Sequence, residues 1–464
     1  MAPPFRAVGS TPGGSPVPRD RAPPALCFHS YNARPMSSRH GGFTAVVTLG
    51  LSTVLHAFTH AYGAMLVPLY LLIVRDLHLR GVESAAMIVT VYGMVYALGS
   101  YGAGVMADRV DRKAMLGVGL MLNAIAIVAM GLTRSYPMLL MLAVLAGLAG
   151  TLFHPSANAL VPEHFPKSPG MVIGLLGIGS GLGFFAGPQY AGWRAEAARW
   201  HWHAVADWQR PCVELGAAGL VVGVLFLMLA REARPELAEG AHEREVHPPL
   251  GKRLRWRVLA IAAVLGCRDF AGVASLSLAS IYLQKAQHRD PKETGLFLGV
   301  MMLMGVVANP LAVWLSPGRR RLRFLTGSLV ISSFIIASVP LVPRAFVLPV
   351  LCLFQSMHLG SYAMSDAAIL ERVSANVRGR VVGLFLTVAG SFAGISPWLM
   401  GFWTDRMGAG TLRQLPYLAP FGTLGVMMIV AAFSTPIIAK LGKADEAAIG
   451  PLDEIMPATM EPAG

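Results

Sequence analysis

Residues 174–192 read GLLGIGSGLGFFAGPQYAG, and residues 383–401 read GLFLTVAGSFAGISPWLMG. Gly174, Gly181, Pro188 and Gly192 of the first stretch fall in register with Gly383, Gly390, Pro397 and Gly401 of the second. The same offset carries Arg112 onto Arg321 and brings Glu163 to within one position of Glu371. Both copies lie among long apolar runs, so the chain reads as a doubled set of membrane helices. Such a doubling serves to rock one half against the other around a site near the bilayer midplane.

Composition points to lipid as the solvent. The chain has 464 residues, is 54% hydrophobic and only 14% charged, and has a mean hydropathy of +0.56. A soluble domain carries about 25% charged residues. A membrane helix needs about 20 apolar residues, and the sequence offers such segments at 44–67, 82–106, 113–133, 136–161, 170–191, 212–230, 258–283, 293–315, 324–342, 345–368, 379–402 and 416–440. The expected fold class is therefore an all-α membrane protein with twelve transmembrane helices in two pseudo-symmetric six-helix bundles, 44–230 and 258–440. An N-terminal tail (1–43), a linker (231–257) and a C-terminal tail (441–464) complete the chain. The first 40 residues, rich in Pro, Gly and Arg, lack the apolar run of a signal peptide, and disorder is expected there. Met36 offers an internal start.

A net charge of +13 raises the question of nucleic acid. The distribution argues against it, because basic residues gather in alternate loops: Arg109, Arg112, Lys113 and Lys167, the Arg231–Arg257 stretch, Arg319, Arg320, Arg321 and Arg323, then Arg372, Arg378 and Arg380. By the positive-inside rule both termini are expected in the cytoplasm of a multi-pass inner-membrane protein. The linker's mixed charges suit a solvated helix, and Lys252, Arg253, Arg255 and Arg257 suit an anionic lipid surface. Trp193, Trp200, Trp202 and Trp208 in one outer loop suit headgroup-level anchors. Cys27, Cys212, Cys267 and Cys352 share no close spacing, so neither a disulfide framework nor a thiolate metal site is expected. His201 and His203 alternate with Trp and read as part of an interfacial patch. No metal and no cofactor are expected.

Residues 104–113 read GVMADRVDRK, with Gly104, Asp108, Arg109, Arg112 and Lys113. This resembles the loop signature of the major facilitator superfamily, G-x-x-x-D-R-x-x-R-[KR], between spans two and three. A degenerate copy at 316–321, SPGRRR, lacks the Asp. Physically, a carboxylate at a helix end can face the positive N-terminus of another helix, and the arginines can pair with acids such as Glu163. The resemblance implies a cytoplasmic gate built from Gly104, Asp108, Arg109, Arg112, Lys113, Glu163, Arg321, Asp366 and Glu371. The alternative is that the basic residues only set topology. Gly174, Gly183, Gly187, Pro188 and Gly192 resemble the antiporter motif of the family's efflux branch, with Ala191 in place of a Gly. Their physical reading is a kinked helix with a flat face for close packing. Ala143 stands near the place where that branch carries an Arg. Phe153, His154 and Pro155 resemble the fosmidomycin-resistance-like subgroup.

Ionisable groups inside a membrane are costly and default to function. The resemblance implies that spans 1, 4, 7 and 10 line the central cavity. Those spans carry His56 and His60, His154, Arg268 and Asp269, and Gln355, His358 and Asp366. His56 and His60, four apart, share a helix face. His60 falls on Asp269 in the repeat register, which would bring them toward one midplane site. A His beside a carboxylate changes charge between pH 5 and 8 and suits proton coupling. Arg268 can fork onto an anionic substrate or neutralise Asp269, although adjacent residues point about 100° apart. His154 either lines the path or fills the carbonyl freed at Pro155. Tyr92 and Tyr96 read as packing aromatics, and Asn158 and Asn309 as polar groups able to orient a ligand.

The expected function is a proton-coupled secondary transporter of a small organic molecule, leaning to efflux. Proton-coupled uptake of an organic anion such as a carboxylate is the alternative. A non-transporting membrane scaffold or sensor is an alternative of another class. An enzyme is not expected, since no HExxH, GxSxG or GxxxxGK[ST] motif occurs. The partners expected are a small-molecule substrate, protons and the bilayer, without nucleic acid, for a chain that works as a monomer, as the family does.

Overall fold

The structure, a computed structural model, describes residues 40–107, 109–196, 206–232, 250–373 and 377–442. The tail before residue 40, Asp108, His201 and His203 with Trp200 and Trp202, linker residues 233–249, and the tail from 443 lie outside the described residues.

Among the described residues 12 helices are long and apolar enough to cross a membrane. They are Gly42–Asp76, Val82–Ala107, Arg112–Met130, Tyr136–Glu163, Gly170–Ala195, Arg210–Leu229, Lys252–Lys285, Pro291–Leu315, Arg321–Leu341, Arg344–Leu370, Arg380–Leu412 and Leu415–Ala439, here spans 1 to 12. The protein is a multi-pass, all-helical membrane protein. The end at which span 1 begins is here the near end, and the opposite one the far end.

Several boundaries differ from expectation for physical reasons. Span 1 continues past residue 67: its α-helix stops at Ala64, a 3-10 turn covers Val67–Leu69, and a short helix runs to Asp76. Pro68 sits in that turn, where its missing N–H removes a rung of the helix ladder. Span 7 starts at Lys252, not 258, and has 34 residues. At 1.5 Å per residue that is about 50 Å, well beyond a hydrocarbon core of about 30 Å. The helix therefore outruns the hydrocarbon core, and its basic first turns project beyond it, where Arg257 Nη1 donates to the Lys440 carbonyl at 2.6 Å. Span 4 breaks at Leu152, between helices Tyr136–Thr151 and Phe153–Glu163, because Pro155 cannot donate to the carbonyl of Thr151. Trp208 departs from its expected anchor role. It is buried, and its indole N–H donates to Asp76 Oδ2 at 3.0 Å.

Span 5 packs on span 1 almost backbone to backbone. A Cβ added at Gly179 or Gly183 would strike the carbonyl oxygens of Thr53 and Ala57, and one at Gly187 would lie 2.7 Å from that of Ala61. With no hydrophobic drive between helices in lipid, such small-residue stripes are what allow close approach.

Candidate functional site

The repeated glycines mark the seam between the two bundles. At the far end, a Cβ on Gly192 would strike the Pro291 backbone of span 8, and its counterpart on Gly401 would come within 2.7 Å of Glu83 Cα in span 2. One step toward the near end, Gly181 faces the Val306 side chain and Gly390 faces Ala97 Cβ at 3.1 Å. Another step on, Gly174 and Gly383 meet nothing within 4 Å. The seam is thus tight at the far end and parted at these near-end glycines, alike in both halves of the repeat. Gly183, Gly187 and Gly192 make the close contacts read from the sequence. Gly174 does not, because it lies where the helices have separated. Pro188 presents its carbonyl to Gly295 of span 8.

Polar contacts between bundles reinforce the far end. Ser280 donates to the Val67 carbonyl at 2.7 Å, Gln284 to that of Pro68 at 3.1 Å, and Tyr70 Oη lies 3.2 Å from Ser277 Oγ. Nearer mid-span, the Trp398 N–H donates to Thr90 Oγ1 at 2.9 Å. Asp405 of span 11 accepts from the backbone N–H groups of Val82 (3.0 Å) and Glu83 (2.8 Å) at the start of span 2. Those amides are orphan donors with no partner inside their own helix, and a carboxylate there also meets the positive end of the helix dipole. Asp405 was missed in the sequence. Its signal was present: Gly401, Asp405 and Arg406 repeat the spacing of Gly104, Asp108 and Arg109.

The groups expected at the gate pair within each bundle. Arg112 Nη1 bonds Glu163 Oε1, and in the repeat position Arg321 Nη1 bonds Glu371 Oε1. Each pair ties the start of one span to the end of another in its own bundle. Glu232 accepts from the Arg112 N–H at 2.9 Å. Lys113 donates its backbone N–H to the same oxygen at 3.4 Å, Arg109 is exposed, and Gly104 faces open space. Asp366 does not join Glu371. Its carboxylate accepts from Ser365 Oγ at 3.4 Å and faces the charges of Arg268 and Asp269 instead.

Two polar clusters occupy the expected cavity helices, one per bundle. In the C-terminal bundle the buried Arg268 donates through Nε to Asp269 Oδ1 and through Nη1 to Ser365 Oγ, both at 2.8 Å. Its guanidinium lies 3.7 Å from the centre of the Tyr362 ring. Of the two roles read for Arg268, the structure shows the pairing with Asp269, although adjacent residues diverge on a helix, because the long Arg stem folds back along it. Arg268 Nη2 has no hydrogen-bond partner among the described residues. His358 fits a notch that Gly272 leaves, and a Cβ there would strike its ring. Neither ring nitrogen of His358 makes a hydrogen bond among the described residues. Gln355 donates to Met302 Sδ at 3.2 Å, and its Oε1 has no partner among the described residues.

In the N-terminal bundle His56, His60 and His154 each offer a ring nitrogen within 4.8 Å of the other two. His56 Nε2 and His60 Nε2 are 3.0 Å apart, and His56 Nδ1 lies 2.7 Å from the Leu176 carbonyl. His154 joins the cluster rather than filling the carbonyl freed at Pro155. Phe153 stacks on His56 and Phe184 lies against His60, each with centroids 4.5 Å apart. Tyr92 and Tyr96 stack on one another, and Tyr92 donates to the Thr59 carbonyl. Asn158 and Asn309 are exposed. His60 and Asp269 do not meet: the first has its partners in span 1, span 4 and span 5, the second in spans 7 and 10.

Residues 49–397 match the family model described as Major Facilitator Superfamily. Among curated proteins, the quinolone resistance protein NorA of Staphylococcus aureus (strain MRSA252) is 20% identical over 231 residues, 49% of this chain and 56% of NorA. The multidrug resistance protein MdtH of Shigella dysenteriae serotype 1 is 33% identical over 96 residues, 21% of this chain and 24% of MdtH. The chain thus spans little more than half the length of the first of these relatives. Among solved structures, a bacterial homolog of the human lysosomal transporter Spinster, in an inward-facing and occupied conformation, superposes with a TM-score of 0.67 at 17% identity. That superposition covers 86% of this chain and 98% of the other. The unoccupied inward-facing form of that homolog gives 0.68.

Proposed function

The chain belongs to the major facilitator superfamily, and from that membership we propose that it is a proton-coupled transporter exporting a small organic molecule across the inner membrane by alternating access. It works as a monomer with both termini cytoplasmic, so the shut far end is the outer side. The seam supports this reading: matched glycines are in contact at one end and parted at the other. Rocking one bundle would exchange the two ends.

The coupling rests on one observation. In the C-terminal cluster a single guanidinium, the buried Arg268, faces two carboxylates, the buried Asp269 bonded to it and Asp366 on the exposed side. That leaves one negative charge uncancelled, which is tolerated while Asp366 is exposed and becomes costly once the other state encloses it. A proton cancels it in one state and departs in the other.

A test uses vesicles reconstituted with the protein, a pH-sensitive dye in the lumen, and a quinolone as first substrate, followed by small organic anions. Substrate addition is expected to move protons. Asp366→Asn or Asp269→Asn should retain exchange of labelled for unlabelled substrate while losing proton movement. Proton movement unchanged in both variants refutes the coupling role. Uptake of an organic anion is the second reading, and the unmatched Nη2 of Arg268 favours it, as a donor held ready for a carboxylate or phosphonate oxygen. The direction of the gradient that drives accumulation separates the two.

A further inference from the structure

We propose that His56, His60 and His154 form a three-imidazole binding site for a divalent transition metal of the Zn2+, Co2+ or Ni2+ class. The inference is independent of the coupling reading above and stands on geometry and ligand chemistry. Two ligands come from adjacent turns of span 1. The third comes from span 4 immediately beyond its break, and one ring nitrogen of each lies within 4.8 Å of the others. Bonds of 2.0–2.1 Å from imidazole nitrogen to zinc place tetrahedral ligands about 3.3 Å apart. The Nε2 atoms of His56 and His60, 3.0 Å apart, already stand near that spacing. Closing the third ligand needs a rotation of His154, which is only half-buried.

The tautomer is set for ligation. A carbonyl oxygen only accepts, so the 2.7 Å contact between His56 Nδ1 and Leu176 O puts the hydrogen on Nδ1. Nε2 then carries its lone pair toward His60 and His154. An imidazole anchored through its other nitrogen to a backbone carbonyl is the usual outer support of a metal-ligating histidine. With no ion bound, His60 Nε2–H donates to His56 Nε2; to ligate as a neutral imidazole, His60 changes tautomer, releasing that proton to water while Nδ1 takes one up, and Nε2 is freed for the ion.

The surroundings choose the class of ion. The rings against the cluster are Phe153, Phe184 and Tyr96. Among the described residues the metal-ligating group consists of the three histidines alone, without a carboxylate. Three neutral nitrogens suit Zn2+, Co2+, Ni2+ and Cu2+, whereas Mg2+ and Ca2+ require oxygen ligands. The fourth position stays open, and the ion's uncancelled double charge in an apolar bundle calls for an anionic fourth ligand, such as hydroxide or a chelating anion.

The experiment is metal titration of the full chain in detergent, purified through a non-histidine tag and stripped with chelator. Co2+ serves as the optical probe, and Zn2+ content is measured after gel filtration. One ion per chain is expected, with the absorption of tetrahedral cobalt. His56→Ala, His60→Ala and His154→Ala should each weaken binding by more than the roughly 10–100-fold that loss of an outer support costs. His60→Gln, close in size to the native ring, guards against misfolding, and each variant's elution volume and melting temperature report its fold. His358→Ala should bind as the parent does. Absence of binding in the parent, binding that survives all three triad substitutions, or binding that disappears instead with His201→Ala and His203→Ala overturns the proposal. No arm requires transport, so failure here leaves the coupling reading untouched.

Discussion

Replacing Asp405 by Asn should unlatch the far end. Asp405 accepts two N–H···O bonds, of 3.0 and 2.8 Å, from the first-turn amides of span 2, and both exist only while the bundles are together there. Hydrogen bonds to a charged acceptor contribute about 1.5–3 kcal/mol each, against about 1 for neutral ones. Asn keeps the shape and one accepting oxygen but loses the second acceptor and the charge that meets the helix dipole. Because the site is only half-buried, solvent screens part of that loss, and the closed far end should lose about 1–2 kcal/mol, a factor of roughly 5–30 in the ratio of closed to open. Spin labels at Arg80→Cys and Leu412→Cys, in a background freed of native cysteines, report the far-end separation by pulsed electron resonance. The population at long distance, relative to short, is expected to rise at least fivefold in Asp405→Asn and further in Asp405→Ala. A ratio unchanged within twofold in both variants would refute the latch.

The seam makes a paired prediction: Gly192→Leu or Gly401→Leu should force the far end apart, whereas Gly174→Leu or Gly383→Leu should fit the present state and trap it. Equal labelling of a far-end cysteine in all four variants would contradict this. Gly183→Val should lower the melting temperature in detergent, because overpacking against the Ala57 carbonyl costs about 1–3 kcal/mol, while Gly174→Ala should not. Arg112 and Glu163 are 30% and 45% exposed, so a double-mutant cycle between them should give no more than about 1 kcal/mol. Asp269→Ala, which removes the hydrogen-bonded carboxylate of the buried Arg268 and leaves it only the more distant Asp366, should cost up to about 3–5 kcal/mol. A melting-temperature loss no larger than that of Glu163→Ala would show that Arg268 finds compensation elsewhere.

Much of the architecture was legible in the chain as written. Long apolar runs must be helices in lipid, because every backbone N–H and C=O has to be satisfied within the span. The repeated glycines announced the doubling, since a residue without a side chain is required wherever two backbones touch. The ionisable residues of spans 1, 4, 7 and 10 were visible as charges placed where charges are expensive. The Arg112–Glu163 pair was legible as opposite charges at neighbouring helix ends, but other partnerships were not. His154 sits far from His56 in sequence, and only the break at Pro155 together with the packing of span 4 brings its ring to the pair on span 1. Asp366 reads as an end-of-helix acid, yet one turn of helix turns it to Arg268 and away from Glu371. Arg268 and Asp269 diverge along an ideal helix, and only a flexible four-bond stem lets them meet.

The amino-acid order alone determined a twelve-span, doubled membrane protein, because the helix period, the bilayer's thickness and the spacing of glycines are local properties of the chain. The tertiary structure decided which end is shut, that Asp405 caps a helix across the seam, and that three imidazoles converge. Those outcomes depend on angles between helices, and such angles are set by side chains from many spans at once.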